Sequence, residues 1–203
     1  MTPVLAASVV VLRDAPLEVL MLRRHDHASF VPGLWVFPGG AADEADFEGA
    51  ADTLEAMRVT AARELFEESG VWLGATPSNA DEHRRALLAG NTTLRAIGEP
   101  DVERLVWLSH WITPIGVPKR FDTYFFVTGV GRDAVATLHE EEAADMRWIA
   151  PHDALQTLDI IAPTRRNLEA VAQFRTANEA VDAQRGADIP TILPPEIDRR
   201  LRP

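Results

Sequence analysis

The sequence predicts an α/β fold, on three observations. Short β-prone runs bounded by Pro, Gly and Asp lie on both sides of one long amphipathic stretch. That stretch, Thr53 to Ser69, carries helical start and stop signals at its two ends. Helical patterns resume after the last β-prone run, near Pro151. The chain of 203 residues suffices for one domain with a real core, and it shows neither an internal repeat nor a long linker.

The elements follow in order. "ASVVVL" (Ala7–Leu12) and "EVLMLRR" (Glu18–Arg24) read as strands joined by an Asp-Ala-Pro turn, hence as a hairpin. "FVPGLWVFPGG" (Phe30–Gly40) holds an aromatic strand, and an acidic, alanine-rich loop follows it. The helix over Thr53–Ser69 has Asp52 as N-cap, Glu55 three residues later in a capping-box arrangement, and Gly70 as its stop. Residues 79–97 read as a helical insert. "ERLVWLSHWITP", "TYFFVTGV" and "MRWI" read as strands. Pro151–Leu158 and Pro163–Gln184 read as two helices, and the proline-rich tail, residues 187–203, as extended or disordered.

Composition narrows the function. With 46% hydrophobic and 25% charged residues the chain fits a soluble globular protein. No apolar run approaches the roughly 20 residues needed to cross a bilayer, so no membrane role is expected. The opening reads as a first strand rather than a secretory signal. The absence of cysteine excludes disulfides and thiolate sites, and fits a cytoplasmic protein. A net charge of −11 with scattered arginine pairs disfavours nucleic-acid binding. A small anionic ligand remains compatible if a cation mediates.

The stretch "RELFEESGV" (Arg63–Val71) concentrates charge. At 100° per residue, Val59, Ala62 and Phe66 share one face, with Leu65 beside them, and Glu64, Glu67 and Glu68 fall together on the other. Like charges at i,i+4 destabilise a helix. One reading is a solvated acidic face partly neutralised by Arg63. The other is a site for a hard divalent cation such as Mg²⁺, which prefers oxygen ligands and bridges carboxylates to phosphates.

The surrounding spacing favours the second reading. Gly49, five residues, Glu55, seven residues and then "RELFEESGV" resemble the Nudix box, the signature of the Nudix hydrolases. The family's Gly-Gly pair after a strand is here Gly39-Gly40, fifteen positions before Glu55. Either Gly49 fills that slot, or Gly40 does and "AADEADFEG" is an insertion; the strand context favours Gly40 and leaves Gly49 an ordinary loop residue. "VPGLWVFPGG" and downstream blocks such as "WITPIGVPKRFDTYFFV" resemble the coenzyme A diphosphatase branch.

The resemblance implies an α/β/α sandwich with a mixed, curved sheet. It implies metal-dependent hydrolysis of a nucleoside diphosphate linked to another group, a small nucleotide substrate, and Mg²⁺ or Mn²⁺ as cofactor. Glu64, Glu67 and Glu68 would be metal ligands, with a backbone carbonyl from Gly39 or Gly40. Arg63 would orient the carboxylates, and Glu55 would support the loop. The general base would come from the run Glu140–Glu142, with Glu141 and Glu142 preferred. Arg23, Arg24 and Arg120 are candidates for substrate phosphate; Arg24 and Lys119 read slightly better as solvated charges. Coenzyme A or an acyl derivative leads as substrate. NADH, ADP-ribose and nucleoside triphosphates are the alternatives, as is a catalytically silent binding module. The family often forms homodimers, and no residue here identifies an interface.

Overall fold

The computed structural model describes residues 2–117 and 119–194. β1 (Val4–Arg13) and β2 (Glu18–Arg24) form the expected antiparallel hairpin. They pair only beside the turn, at Leu12–Val19 and Arg13–Glu18. Beyond that point β2 pairs with β3 (Trp35–Val36), and β1 pairs with β4 (Gly39–Ala41). The segment from Trp35 to Ala41 therefore fills the fork between two diverging strands. Pro38 sits at its middle, where its carbonyl accepts from Val9 N–H at 2.9 Å and from Ser8 Oγ at 2.9 Å.

β5 (Val106–Ile112), β6 (Phe121–Gly129) and β7 (Ala143–Ile149) complete the main sheet. β1 runs parallel to β6 along nine residue pairs, while β7 lies antiparallel on β2. The sheet is thus mixed, with eight described strands. Successive residues of "VVVL" point to opposite faces of β1, and both faces are covered. Val9 and Val11 pack with Met57, Leu65 and Phe66 of the helix α1 (Thr53–Ser69). Val10 and Leu12 pack on the other face with Ala154 of α4 (Pro151–Thr157), with Leu168 and Val171 of α5 (Ala162–Ala172), and with Ala180 of α6 (Ala177–Asp182). The layers are helix, sheet, helix.

α1 has the predicted bounds. Asp52 accepts from Glu55 N–H at 2.8 Å, and Gly70 closes the helix with a left-handed φ of 72°. Glu55 caps one residue further out than expected, accepting from Ala51 N–H at 2.7 Å. The inserted loop is not structureless, because Glu44–Phe47 forms a 3₁₀ turn. The helical insert holds α2 (Ala80–Leu88) and α3 (Leu94–Ile97).

Two expectations are corrected. The single helix over Pro163–Gln184 is broken at residues 173–176, and Thr176 and Glu179 explain the break. Thr176 caps α6 by accepting from Glu179 N–H, and Glu179 accepts from Arg175 N–H at 2.9 Å. "TANE" is thus a second helix start hidden inside one helical pattern. The tail is not merely extended: β8 (Thr191–Ile192) pairs in parallel with β5. His110 fastens it, with Nδ1 at 2.8 Å from Thr191 Oγ1 and Nε2 against Asp122. Residues 195–203 of the predicted tail lie outside the described residues. No described helix is long and apolar enough to cross a membrane.

Replacing Asp52 with Ala removes the cap of α1. The expected loss is about 1 kcal/mol, read as a lower midpoint in chemical denaturation.

Candidate active site

The site begins with a buried cation. Arg63 is almost wholly out of solvent on α1. Its Nη1 donates to Glu64 at 2.8 Å and to Glu67 at 2.7 Å. Its Nη2 donates to the Ala41 carbonyl at 2.8 Å and to Asp46 at 3.0 Å, and its Nε also meets both Asp46 oxygens. Burial alone would make the guanidinium easier to deprotonate. The hydrogen bonds that it donates to Asp46, and the charges of Glu64, Asp46 and Glu67, outweigh that and raise its pKa. Asp46 was not anticipated from the sequence, where it read as one acid among several in a loop.

Glu64 and Glu68, one helical turn apart, stand against β4. A Cβ on Gly40 would come within 2.5–2.7 Å of the Glu64 carboxylate, and one on Gly39 within 2.6 Å of Ser8 Cα. Glycine at 40 allows the approach of β4 to the helix, and glycine at 39 its approach to β1. Gly39 N–H donates to Glu68 at 2.8 Å. By contrast, a Cβ on Gly49 would meet nothing within 4 Å. The geometry thus ties Gly39-Gly40 to the acidic helix and leaves Gly49 as a loop turn with a φ of 72°.

The carboxylates do not point out into bulk water, as helical periodicity suggested. Side-chain exposure is only 14% for both Glu64 and Glu67, and Glu68 is buried. Burial, opposed by the charge of Arg63 and reinforced by Glu67, raises Glu64 to a pKa of about 7. Burial and then the charge of Glu64 raise Glu68 well above the usual carboxylate range. Burial also raises Glu67, against the pull of Arg63.

Glu64 and Glu68 open into a cavity of about 610 Å³. Arg24, Glu142 and Lys119 line it, together with Phe37, Trp111, Phe121, Ile161 and Pro194. Several candidate residues separate here. Glu142 reaches the cavity wall and Glu141 does not. Arg24 lies on the wall, with Nε donating to the Phe30 carbonyl at 2.9 Å, whereas Arg23 pairs with Asp26 at 2.6 Å. Lys119 lines the cavity, 5.0 Å over the Phe121 ring, while Arg120 donates to the Thr113 carbonyl at 2.9 Å. Arg24 and Lys119, which the sequence favoured as solvated charges, are the cations at the cavity. Glu67 faces a second, smaller cavity beside Arg63 and Asp46.

Two further contacts fix the frame. Arg84 of α2 donates through Nε to the Glu67 carbonyl at 2.9 Å and through Nη2 to the Thr137 carbonyl at 3.0 Å. It ties the end of α1 to the loop that carries Glu142. Nothing in the pattern of "DEHRRALL" marked Arg84 over Arg85, since the distinction lies in which face α2 turns inward.

No three acidic or histidine side chains among the described residues form a ready-made metal cage. Mg²⁺ does not need one, because it keeps waters and takes one or two carboxylates plus substrate oxygens. One buried and one largely buried carboxylate with raised proton affinity, a helical turn apart at a cavity, fit that demand through hard oxygen donors.

The NUDIX domain family matches residues 2–170. Putative nudix hydrolase 7 of Caenorhabditis elegans is 31% identical over 158 residues, covering 74% of this chain and 52% of that protein. Acyl-coenzyme A diphosphatase NUDT19 of Xenopus laevis is 24% identical, covering 80% of this chain and 61% of that protein. This chain therefore spans between half and two thirds of these curated relatives. The crystal structure of a NUDIX hydrolase from Alicyclobacillus acidocaldarius superposes with a TM-score of 0.79 at 30% identity, over 90% of this chain and 96% of that one. With this likeness in sequence and fold, the chain belongs to the NUDIX domain family.

Proposed function

We propose that this protein hydrolyses, with Mg²⁺ or Mn²⁺, the diphosphate linkage of coenzyme A or an acyl-coenzyme A. The observation that carries the reading is a single cavity with buried carboxylates on one wall and aromatic and aliphatic side chains on the others. Such a cavity suits a molecule with an anionic diphosphate, a stacking base and a long, weakly polar arm. The acyl-coenzyme A diphosphatases of frog and human, at 24% and 25% identity, point the same way.

In this reading Glu64 and Glu68 hold the cation, and the metal neutralises charge on the phosphate oxygens when bound. Gly39 N–H fixes one Glu68 oxygen, and Gly40 gives Glu64 room to lie against β4. Arg63 aims Glu64 and Glu67, and Glu67 acts from the flank, through Arg63 or a second cation. Glu142, the member of the acidic run on the cavity wall, is the proposed base that takes a proton from the attacking water. Lys119 and Arg24 receive substrate phosphates, with Trp111 or Phe121 offering a face for the base.

The direct test incubates the protein with Mg²⁺ or Mn²⁺ and coenzyme A, acyl-coenzyme A, NADH, ADP-ribose and nucleoside triphosphates, and identifies products by mass. Phosphopantetheine and adenosine 3′,5′-bisphosphate are expected from coenzyme A. Faster cleavage of another nucleotide would replace the substrate assignment and leave the hydrolase intact.

Glu68→Gln should stay folded by circular dichroism and lose about 10²–10³-fold in kcat, the range for removing one charge-stabilising group. Gly40→Ala should lower activity comparably, because its methyl displaces the Glu64 carboxylate; a fully active variant would contradict that packing.

The pH dependence has a definite sign. Glu64 binds its proton more tightly in the folded protein, at about 7 against an ordinary 4.5. In EDTA, the folded state thus carries more protons through that window, and its stability falls as pH rises across it. Mg²⁺ should raise the melting temperature at pH 7.5 and do little at pH 5. A Mg²⁺ effect equal at both values would count against Glu64 as a ligand.

A further inference from the structure

Five aromatic side chains line the cavity, and four of them are already engaged. Phe37 and Phe125 are buried and meet edge to face at 6.5 Å. Phe121 carries the Lys119 ammonium 5.0 Å over its ring and meets Phe30 at 5.0 Å in a T-shaped pair. Trp111 is half-buried, and among the described residues no other ring and no cation stacks on it.

A bulge brings Trp111 to the cavity. Side chains alternate along a strand, so Trp107 and Trp111 of a regular β5 would share one face. The pairing with β6 shifts instead: Trp107 opposes Phe126 and Ser109 opposes Phe125, which leaves Leu108 as the extra residue. Trp107 therefore stacks on Tyr124 at 5.5 Å on one face, while Trp111 lines the cavity on the other.

The indole is fixed there by its polar edge. Trp111 Nε1–H donates to Ser109 Oγ at 3.2 Å, and Ser109 Oγ donates to Asn167 Oδ1 at 2.7 Å. Asn167 is 1% exposed and belongs to α5, whose first residues, Ala162 to Thr164, also line the cavity. With its one polar hydrogen engaged inside the protein, Trp111 offers a ligand its π face alone.

We propose that Trp111 is the stacking platform for the base of the substrate, and that Ser109 and Asn167 are positioning residues that hold the indole face toward the cavity. The assignment rests on the coenzyme A reading above and decides between Trp111 and Phe121. A platform of this kind recognises a flat ring through its area, without reading the hydrogen-bonding edge of the base.

The test titrates adenosine 3′,5′-bisphosphate and phosphopantetheine into the Mg²⁺-loaded protein by calorimetry, then measures kcat and KM for coenzyme A. It compares wild type, Trp111→Ala, Trp111→Phe, Ser109→Ala and the double variant Trp111→Phe with Ser109→Ala. Trp111→Ala should bind the bisphosphate about 5- to 100-fold more weakly, the range for removing an aromatic partner of a base, and bind phosphopantetheine as wild type does. Trp111→Phe keeps a stacking face and should lie between the two. Ser109→Ala should weaken bisphosphate binding about 2- to 10-fold, the worth of one hydrogen bond, and raise KM with kcat unchanged. Phenylalanine has no N–H for Ser109 to hold, so adding Ser109→Ala to Trp111→Phe should change nothing further.

Wild-type bisphosphate affinity in folded Trp111→Ala, or a loss confined to phosphopantetheine, would remove the base from Trp111. An equal effect of Ser109→Ala in both backgrounds would show a general structural role and defeat the relay. If Ser109→Ala does not fold, Asn167→Leu takes its place in the same comparison, because it removes the acceptor that holds the Ser109 hydroxyl. A wild-type protein that binds neither product would overturn the coenzyme A reading and the assignment with it.

Discussion

One guanidinium removed from water governs this site. Arg63 faces Asp46, Glu64 and Glu67 within 3.0 Å, so a single positive charge answers three negative ones. Stripping a charge of solvent costs several kcal/mol, and only well-made pairs offset it. Here the pairs exceed what the cation needs, and the excess is negative. Glu68 adds to it from one turn further along α1, with Gly39 N–H as its hydrogen-bond donor. Short of positive charge, the glutamates of the cluster hold protons more tightly than ordinary carboxylates do.

The sheet supplies the geometry that makes this arrangement reproducible. Because β1 and β2 part after two residue pairs, the stretch from Trp35 to Ala41 is gripped on both sides. Gly39 and Gly40 are presented to α1 from that fork, and α1 is held in turn by Phe66, Leu65 and Met57 against Val9 and Val11. The glutamates thus hang from a buried helix over a clamped strand. Arg84 secures the far end of the helix to the loop bearing Glu142. α1 and β4 therefore fix the acidic wall of the cavity, and Arg84 ties the loop bearing Glu142 to it.

Much of this was legible in the residues. Asp52, Glu55 and Gly70 delimit α1 correctly, since capping is local chemistry that a short string encodes. The strand context of "VFPGG" pointed to Gly39-Gly40, and these two glycines lie beside Glu68 and Glu64. What failed was long-range. Asp46 reaches Arg63 across seventeen positions, through a loop whose path no periodicity dictates. Lys119 and Arg120 are neighbours in sequence, yet only the former lines the cavity, because backbone direction at a loop sets the outcome. Helical periodicity placed Glu64, Glu67 and Glu68 on one side of α1 but could not show that β4 would cover Glu64 and Glu68. "TANE" was readable as a cap, but it was overridden by an uninterrupted helical pattern around it.

The cavity is bounded by segments from near both ends of the described chain: Ala6, Ala7 and Ser8 of β1 on one side, and Pro194 beyond β8 on another. During synthesis from the ribosome, strand β1 and the glutamates of α1 emerge more than a hundred residues before that last wall. A growing chain therefore possesses the acidic wall of the cavity long before its last wall. The last of these described walls is in place only once β8 docks beside His110.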